Sequence, residues 1–222
     1  MDILIQGRSN THFTPVFERK NGNLRRRMTE YTKLSDEELV ELFRQEGDVK
    51  AFEQLMLRYE KPIYNFILRM VGDPQRSSDL FQEVFLKVYQ KIESFQNKAA
   101  FSPWLYKIAK HQCIDEFRRY ENRFKPASLE QERETGSLQD KLSDDSFTPE
   151  DLMFQQELGQ RIAEAVKQVP ERYRTVFILH RYQSLPYHEI AEIEGVPVGT
   201  VKSRMFEATR RLRVLLKDLK EL

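Results

Sequence analysis

Five side chains that can read a base edge fall within eight residues: Thr200, Lys202, Ser203, Arg204 and Glu207. Hydroxyls, a guanidinium, an amine and a carboxylate are the groups that pair with donors and acceptors in a DNA major groove. Arg210, Arg211 and Arg213 follow them. Placed later on the same helix, they suit phosphate contact, which positions a protein on duplex without reading sequence. A second constellation lies upstream. "SPWLYKIAKHQCIDEFRR" mixes Trp104 with Lys107, Lys110, His111, Arg118 and Arg119, and is preceded by Phe95, Gln96, Asn97 and Lys98. Aromatics beside cations suit opened, single-stranded nucleic acid, whose bases stack or enter pockets while the cations hold phosphate. Each set has a plainer reading. The basic helix would be a solvated face, and Trp104 would be core.

No other chemistry is visible. There is no Gly-rich phosphate loop and no nucleophile motif. His12, His111, His180 and His188 are scattered and form no ligand spacing with Cys113. Asp115 and Glu116 are simplest as a solvated helix face. No metal or cofactor is expected.

Helices must carry these residues. "LSDEELVELF" opens the order with a capping box, Ser35 and Glu38, and an apolar face of Leu39, Leu42 and Phe43. A second helix spans about 49–71, with Phe52, Leu55, Met56, Tyr59, Ile63, Phe66, Ile67 and Met70 inward. Pro62 should bend or break it. "GDPQ" (residues 72–75) reads as a turn. A third helix puts Leu80, Val84, Val88 and Ile92 on one face. It turns Asp79, Gln82, Glu83, Lys87 and Lys91 outward, beside Phe81, Phe85, Leu86 and Tyr89. Its apolar residues exceed one stripe, so it needs a second partner, either a helix of this chain or another protein. Ser102 should cap a fourth helix, with Pro103 at its first position, running to about Arg123.

Residues 124–148 read as a flexible acidic linker. After it come a helix capped by Thr148 with Pro149 in its first turn, a second helix from "ERYRTVFILHRYQ", and the pair "PYHEIAEIEG" and "VGTVKSRMFEATRRLRVLLKDL". In that pair Ile190, Ala191 and Ile193 face inward and Gly195 stands where a left-handed turn residue is wanted. Val196 packs the turn, and Val201, Met205 and Leu212 continue the stripe. This is helix-turn-helix grammar. The fold class is therefore all-α: two small helical domains joined by a flexible acidic linker, the C-terminal one containing a helix-turn-helix. The boundaries are 1–33 (arm), 34–123, 124–148 (linker) and 149–222.

The formal net charge of +1 hides an asymmetry. Ser128 to Asp151 holds eight acids against two bases, and Val198 to Lys220 holds seven bases against two acids. A basic end of this kind points to a polyanion partner. A single cysteine rules out an internal disulfide framework and fits a cytoplasmic setting. Cys113 falls on the apolar side of its helix, which favours packing over a redox role. "ERKNGNLRRRM" leaves two readings of the arm. Either it is a basic segment that touches nucleic acid, or Met28 is the natural start and the preceding arginine codons are part of a ribosome-binding site.

The order "DLFQEVFLKVYQKIESF", "FSPWLYKIAKHQCIDEFRR", acidic linker, "VPERYRTVFILHRYQSLPYHEIAEIEGVPVGTVKSRMFEATRRLR" resembles the extracytoplasmic-function (ECF) sigma factors of bacterial RNA polymerase. The likeness runs from about Leu34 to Leu219. It implies a subunit that binds core RNA polymerase and directs it to promoters, with no catalysis of its own. It implies core docking through Asp79, Gln82, Glu83, Phe85, Lys87 and Tyr89. Melting and reading of the −10 element would fall to Phe95, Gln96, Asn97, Lys98, Trp104, Lys107, Lys110, His111, Arg118 and Arg119. The −35 duplex would be read by Thr200, Lys202, Ser203, Arg204, Glu207, Arg210 and Arg211. The linker would thread toward the polymerase active centre and the RNA exit path. An anti-sigma factor, commonly membrane-anchored, is also implied. There is no room for the intermediate domain of the larger sigma factors. Many members carry Asn seven residues after the Trp, where this chain has His111, so base preference there is open. The competing readings are a helix-turn-helix repressor or activator with a sensing or dimerising N-terminal block, which predicts a symmetric site, and an enzyme, for which no motif is present.

Overall fold

The computed structural model describes residues 31–95, 100–123 and 149–217, with side chains described for all of these except 121–123 and 149–156. The chain divides into two units, Met1–Leu34 and Ser35–Leu222. In the first, Leu34 N–H donates to the Tyr31 carbonyl at 3.3 Å. The second carries, among its described residues, helices α1 (Asp36–Glu46), α2 (Val49–Val71), α3 (Pro74–Lys91), a 3-10 turn (Ile92–Ser94), α4 (Phe101–Arg123), α5 (Pro149–Gln168), α6 (Glu171–Arg181), α7 (Tyr187–Glu194) and α8 (Val198–Leu215). No strand occurs among the described residues.

The capping box forms as read. Glu38 N–H donates to Ser35 Oγ at 3.2 Å, and Ser35 N–H donates to the Glu38 carboxylate at 2.7 Å. Pro62 does not break α2, which is continuous through it. A proline inside a helix removes one backbone hydrogen bond and costs about 3 kcal/mol. Ala51, Phe52, Leu55, Ile63, Phe66, Ile67 and Met70 are buried on both sides of it and hold the helix together. "GDPQ" is only half a turn. Gly72 ends α2 in the left-handed region at φ 79°. Asp73 then accepts from Arg76 N–H at 2.8 Å and Pro74 opens α3. An Asp cap followed by Pro at the first helical position is a helix start, not a loop.

The start of α4 also differs. It begins at Phe101, and Glu37 of α1 accepts the Phe101 N–H at 3.1 Å, so Ser102 lies inside the helix. The expected cap at Thr148 and the linker lie outside the described residues.

The core of the N-terminal block is aromatic-rich. Phe95, Phe101 and Trp104 nest with ring centroids 5.2–5.8 Å apart. Phe66 meets Tyr106 edge-on at 5.6 Å. The surplus apolar residues of α3 are partly absorbed within the block. Phe81 packs on Phe85 at 4.8 Å and on Tyr64 at 6.2 Å, and Tyr89 lies against Phe43 and Phe52.

The two helical blocks pack on one another within the second unit. Arg174 of α6 donates to the Met70 carbonyl at the end of α2 (2.7 Å), Tyr106 of α4 donates to Gln183 Oε1 (2.9 Å), and Arg69 stacks over Tyr182 (4.0 Å). Lys167 of α5 lies so close over Gly72 that a Cβ there would sit 2.2 Å from its Cε.

Candidate nucleic-acid interface

Helices α7 and α8 form the expected pair. Gly195 ends α7 at φ 66°, and its N–H reaches the Ala191 carbonyl. A side chain with a Cβ is strained there, which is why glycine stands at the turn. Pro197 then sets the entry to α8 at φ −60°. Ile190, Ile193, Val201, Ala208 and Leu212 are buried between the helices; Ala191 and Met205 are half-buried.

Burial of that stripe fixes the outer face of α8. Lys202, Ser203 and Arg210 are exposed, and Thr200, Arg204, Glu207 and Arg211 are half-exposed. Ser203 Oγ donates to the Thr200 carbonyl at 2.9 Å. Glu207 accepts Arg210 at 2.8 Å and Arg211 Nε at 2.7 Å. The hydrogen bond from Arg210 outweighs the opposing effect of burial and, with that from Arg211, pulls the Glu207 carboxyl down to about 2, so it is ionised at any physiological pH. Arg211 also lies over the Tyr173 ring at 5.2 Å. Phe206, which the sequence reading did not single out, is 72% exposed on this helix. An apolar ring there can contact a thymine methyl group.

On α4 the cations separate. Lys107, His111, Arg118 and Arg119 are exposed. Arg118 pairs with Asp115 at 3.7 Å, and Arg119 lies between Glu116 (3.7 Å) and Glu83 (3.9 Å). Burial, then the nearby Lys110 and Lys107, lower the His111 pKa from the usual imidazole value, which keeps it neutral at pH 7. As a neutral ring it offers one donor and one acceptor rather than a charge.

Two expected contacts are placed differently. Lys110 is buried, not on the solvent face: its Nζ donates to the Ile193 carbonyl of α7 at 2.9 Å. Phe95 is 2% exposed within the Phe101–Trp104 cluster, so its ring is core rather than a free stacking platform. Trp104 is half-buried there and keeps one part toward solvent. Gln96, Asn97 and Lys98 lie outside the described residues.

On α3, Asp79, Gln82 and Tyr89 are exposed. Phe85 is 6% exposed and belongs to the core. Leu86 is the apolar residue that is presented, at 59%. Glu83 and Lys87 are bound to α4 through the buried Gln112, which donates to Glu83 at 2.8 Å and accepts from Lys87. Cys113 is buried, and burial pushes its thiol well above the usual range, which fits a packing role.

No group of three or more His, Cys, Asp or Glu that could hold a metal ion occurs among the described residues. No helix among them is long and apolar enough to cross a membrane. The arrangement offers two separate basic faces, one on a helix-turn-helix and one on an aromatic-backed helix, joined in sequence by an acidic stretch.

Comparison with known proteins assigns both blocks. Residues 55–123 match the family model for Sigma-70 region 2, and residues 159–212 match that for Sigma-70, region 4. The chain is 34% identical over 173 residues to the ECF RNA polymerase sigma factor SigW of Bacillus subtilis (strain 168), covering 78% of this chain and 92% of that protein. It is 36% identical over 181 residues to the ECF RNA polymerase sigma-E factor of Escherichia coli (strain K12), covering 79% and 91%. Among solved structures, the fold is similar to CnrH in complex with the cytosolic domain of CnrY (TM-score 0.61, 18% identity, 82% of this chain and 97% of that one). It is also similar to the sigma factor RpoE in complex with the anti-sigma factor NepR from Bartonella quintana (TM-score 0.59, 23% identity, 76% and 98%). With both sigma regions present in order and curated relatives matched over nine-tenths of their length, the chain belongs to the ECF sigma factors of bacterial RNA polymerase.

Proposed function

We propose that this chain binds core RNA polymerase and directs it to a specific set of promoters, with α3 docking on the polymerase, α4 melting and reading the −10 element, and α7–α8 reading the −35 element as duplex. The observation that carries the reading is one chain pairing a helix-turn-helix, whose reading helix is basic, with a second block whose basic helix is backed by an aromatic cluster. A repressor needs only the first. The protein contributes recognition, and the bond-forming chemistry belongs to the polymerase, in the cytoplasm. Residues 124–148 form the linker between the two readers. The solved complex of RpoE with the anti-sigma factor NepR supports an anti-sigma factor as a further partner.

The test is run-off transcription with purified core RNA polymerase and fragmented genomic DNA of the source bacterium. New, discrete transcripts that depend on this protein are expected and would also deliver the promoter sequence. No new transcripts, together with tight duplex binding by the protein alone, would return the reading to a repressor or activator.

The two kinds of cation on α8 should separate in the same system. Arg204→Ala is expected to reduce use of promoters with the correct −35 bases, by about 1–3 kcal/mol of discrimination, and to leave promoters lacking them unchanged. Arg211→Ala should weaken binding on all duplexes alike and lower the salt dependence by about one counterion. Competition binding at several salt concentrations measures both. A base-specific defect in Arg211→Ala would reverse the two assignments.

A further inference from the structure

Helix α1 touches the chain on both sides of residues that the proposed function gives to the −10 element. Glu37 accepts the Phe101 N–H at 3.1 Å, where α4 begins. Arg44 donates to the Phe95 carbonyl at 3.2 Å. Gln96, Asn97 and Lys98 lie between these two anchors in sequence. The two contacts join residues 64 and 51 positions apart along the chain. The Phe101 amide is one of those that a helix start leaves unpaired, and its usual partner is a side chain just before the helix. A local cap would satisfy that amide as well. A cap drawn from α1 also fixes where α4 begins relative to another helix.

Glu37 and Arg44 stand two turns apart on one face of α1, about 10 Å along its axis. The Ser35–Glu38 box holds the first turn, in which Glu37 lies. Beside it, Asp36 accepts from Arg58 at 2.5 Å and from the Tyr59 hydroxyl, and the Tyr59 ring meets Phe101 edge-on at 5.6 Å. Phe101 is thus held from α1 at its amide directly and at its ring through Tyr59. Arg44 also lies 3.8 Å from Glu93 and 4.0 Å from Glu41, yet its Nε is enclosed without a hydrogen-bond partner. An enclosed, unpaired donor is not what stability alone selects, and such departures concentrate at functional sites. Between the two anchors sits the ring nest. Phe95 and Phe101 are buried with centroids 5.8 Å apart, and Trp104 packs on them at 5.2 and 5.6 Å with part of its surface toward solvent.

We propose that Glu37 and Arg44 are positioning residues for reading the opened strand: by pinning Phe101 and Phe95 to one helix, they fix the angle and depth at which Trp104 meets an unstacked base. The inference rests on the proposed −10 role of this face. A base gives up its neighbours on leaving the stack, and a surface that is already ordered receives it without a further entropic loss. A surface free to shift still offers aromatic area and cationic charge, so it binds opened DNA but discriminates poorly between bases. Loss of the pins should therefore lower selectivity more than affinity.

Trp104 is the one tryptophan of the chain, so its fluorescence reports on the nest without a label. In the full chain, Glu37→Ala and Arg44→Met should shift its emission to the red and raise its quenching by acrylamide. Glu37→Gln keeps an acceptor oxygen and should stay close to the parent. With core polymerase, on promoters premelted over the −10 element found by transcript mapping, Glu37→Ala should lose about threefold to tenfold of the preference for the mapped bases over substituted ones, the worth of one hydrogen bond. Binding to −35 duplex should not change. Asp73→Ala is the control for stability: it removes the cap on the Arg76 N–H, at the end of α3 far from Phe95. It should lower the thermal midpoint by a similar amount and leave both the Trp104 signal and the base preference as in the parent. An unchanged Trp104 signal in Glu37→Ala and Arg44→Met overturns the pinning. A changed signal with base preference intact overturns the positioning role, and so does an equal loss of preference in Asp73→Ala. If core polymerase yields no transcripts with parent or variants while the fluorescence changes as expected, the sigma reading fails and the pinning of Trp104 stands.

Discussion

Arg174→Ala is expected to lower the thermal midpoint by roughly 6–12 °C. The guanidinium is mostly enclosed and spends all three nitrogens on backbone. Nε donates to the Val169 carbonyl at 3.0 Å, one terminal nitrogen to Lys167 at 2.6 Å, and the other to Met70 at 2.7 Å. Lys167 lies in the last turn of α5, and Met70 in that of α2. Both carbonyls are among those a helix cannot satisfy internally, and a cation is favoured there by the helix dipole. The face of the group lies 5.5 Å from the Phe117 ring. Burial lowers its pKa from the usual guanidinium value, yet it remains charged at neutral pH. Charged hydrogen bonds are worth about 1.5–3 kcal/mol each and do not add fully, so the loss is put at about 3 kcal/mol.

Arg174→Lys should recover only part of this, because an ammonium cannot reproduce a planar fork aimed at three fixed oxygens. Thermal melts of the parent and both variants, followed by circular dichroism, decide the matter. A shift under 2 °C for the alanine variant would show that water replaces the guanidinium at all three carbonyls.

That such a residue escaped notice in the sequence has a physical cause. Arg174 sits in "PERYRTVF" among other arginines, and its partners are backbone oxygens, which carry no residue type to read. Patterns confined to one element were legible. The Ser35–Glu38 box, the left-handed Gly195 and the stripe Val201–Leu212 are all set by spacing within a single element. The junction at "GDPQ" was misjudged because Gly and Pro signal turns, whereas here Asp73 between them caps a helix. Lys110 was misplaced for a different reason. Its position on α4 is polar relative to its own block, and what buries it comes from Ile193 and Glu194, over eighty residues on. Periodicity reports which face meets the local core and is silent on what a second block brings to the other face. Phe85 and Leu86 show the same limit at finer scale. Both fit an apolar overflow on α3, and only packing against Phe81 decides which one turns in.

That choice leads to the second large effect. Leu86→Ala is expected to weaken binding to core RNA polymerase about 30-fold, or about 2 kcal/mol, the scale of an interface hot spot. Leu86 and Tyr89 are 59% and 54% exposed, three residues apart on α3, and therefore neighbours on its surface. Exposed Asp79 and Gln82, and half-buried Glu83 and Lys87, lie on the same helix. An apolar centre with a polar rim is the anatomy of a docking surface. Tyr89 also braces Phe43 and Phe52, at ring centroids 5.7 and 5.4 Å away, so its truncation would mix folding with binding. Leu86 carries no such role, and its replacement should change stability by under about 0.5 kcal/mol. Leu57 of α2, 47% exposed, supplies the control: an equally apolar, solvent-facing leucine on a helix that the proposed docking does not use. Fluorescence anisotropy of labelled protein titrated with core polymerase measures all three. Loss in Leu86→Ala with none in Leu57→Ala places the docking surface on this face of α3. The reverse pattern would move it to α2 and leave the exposed α3 leucine without a binding role.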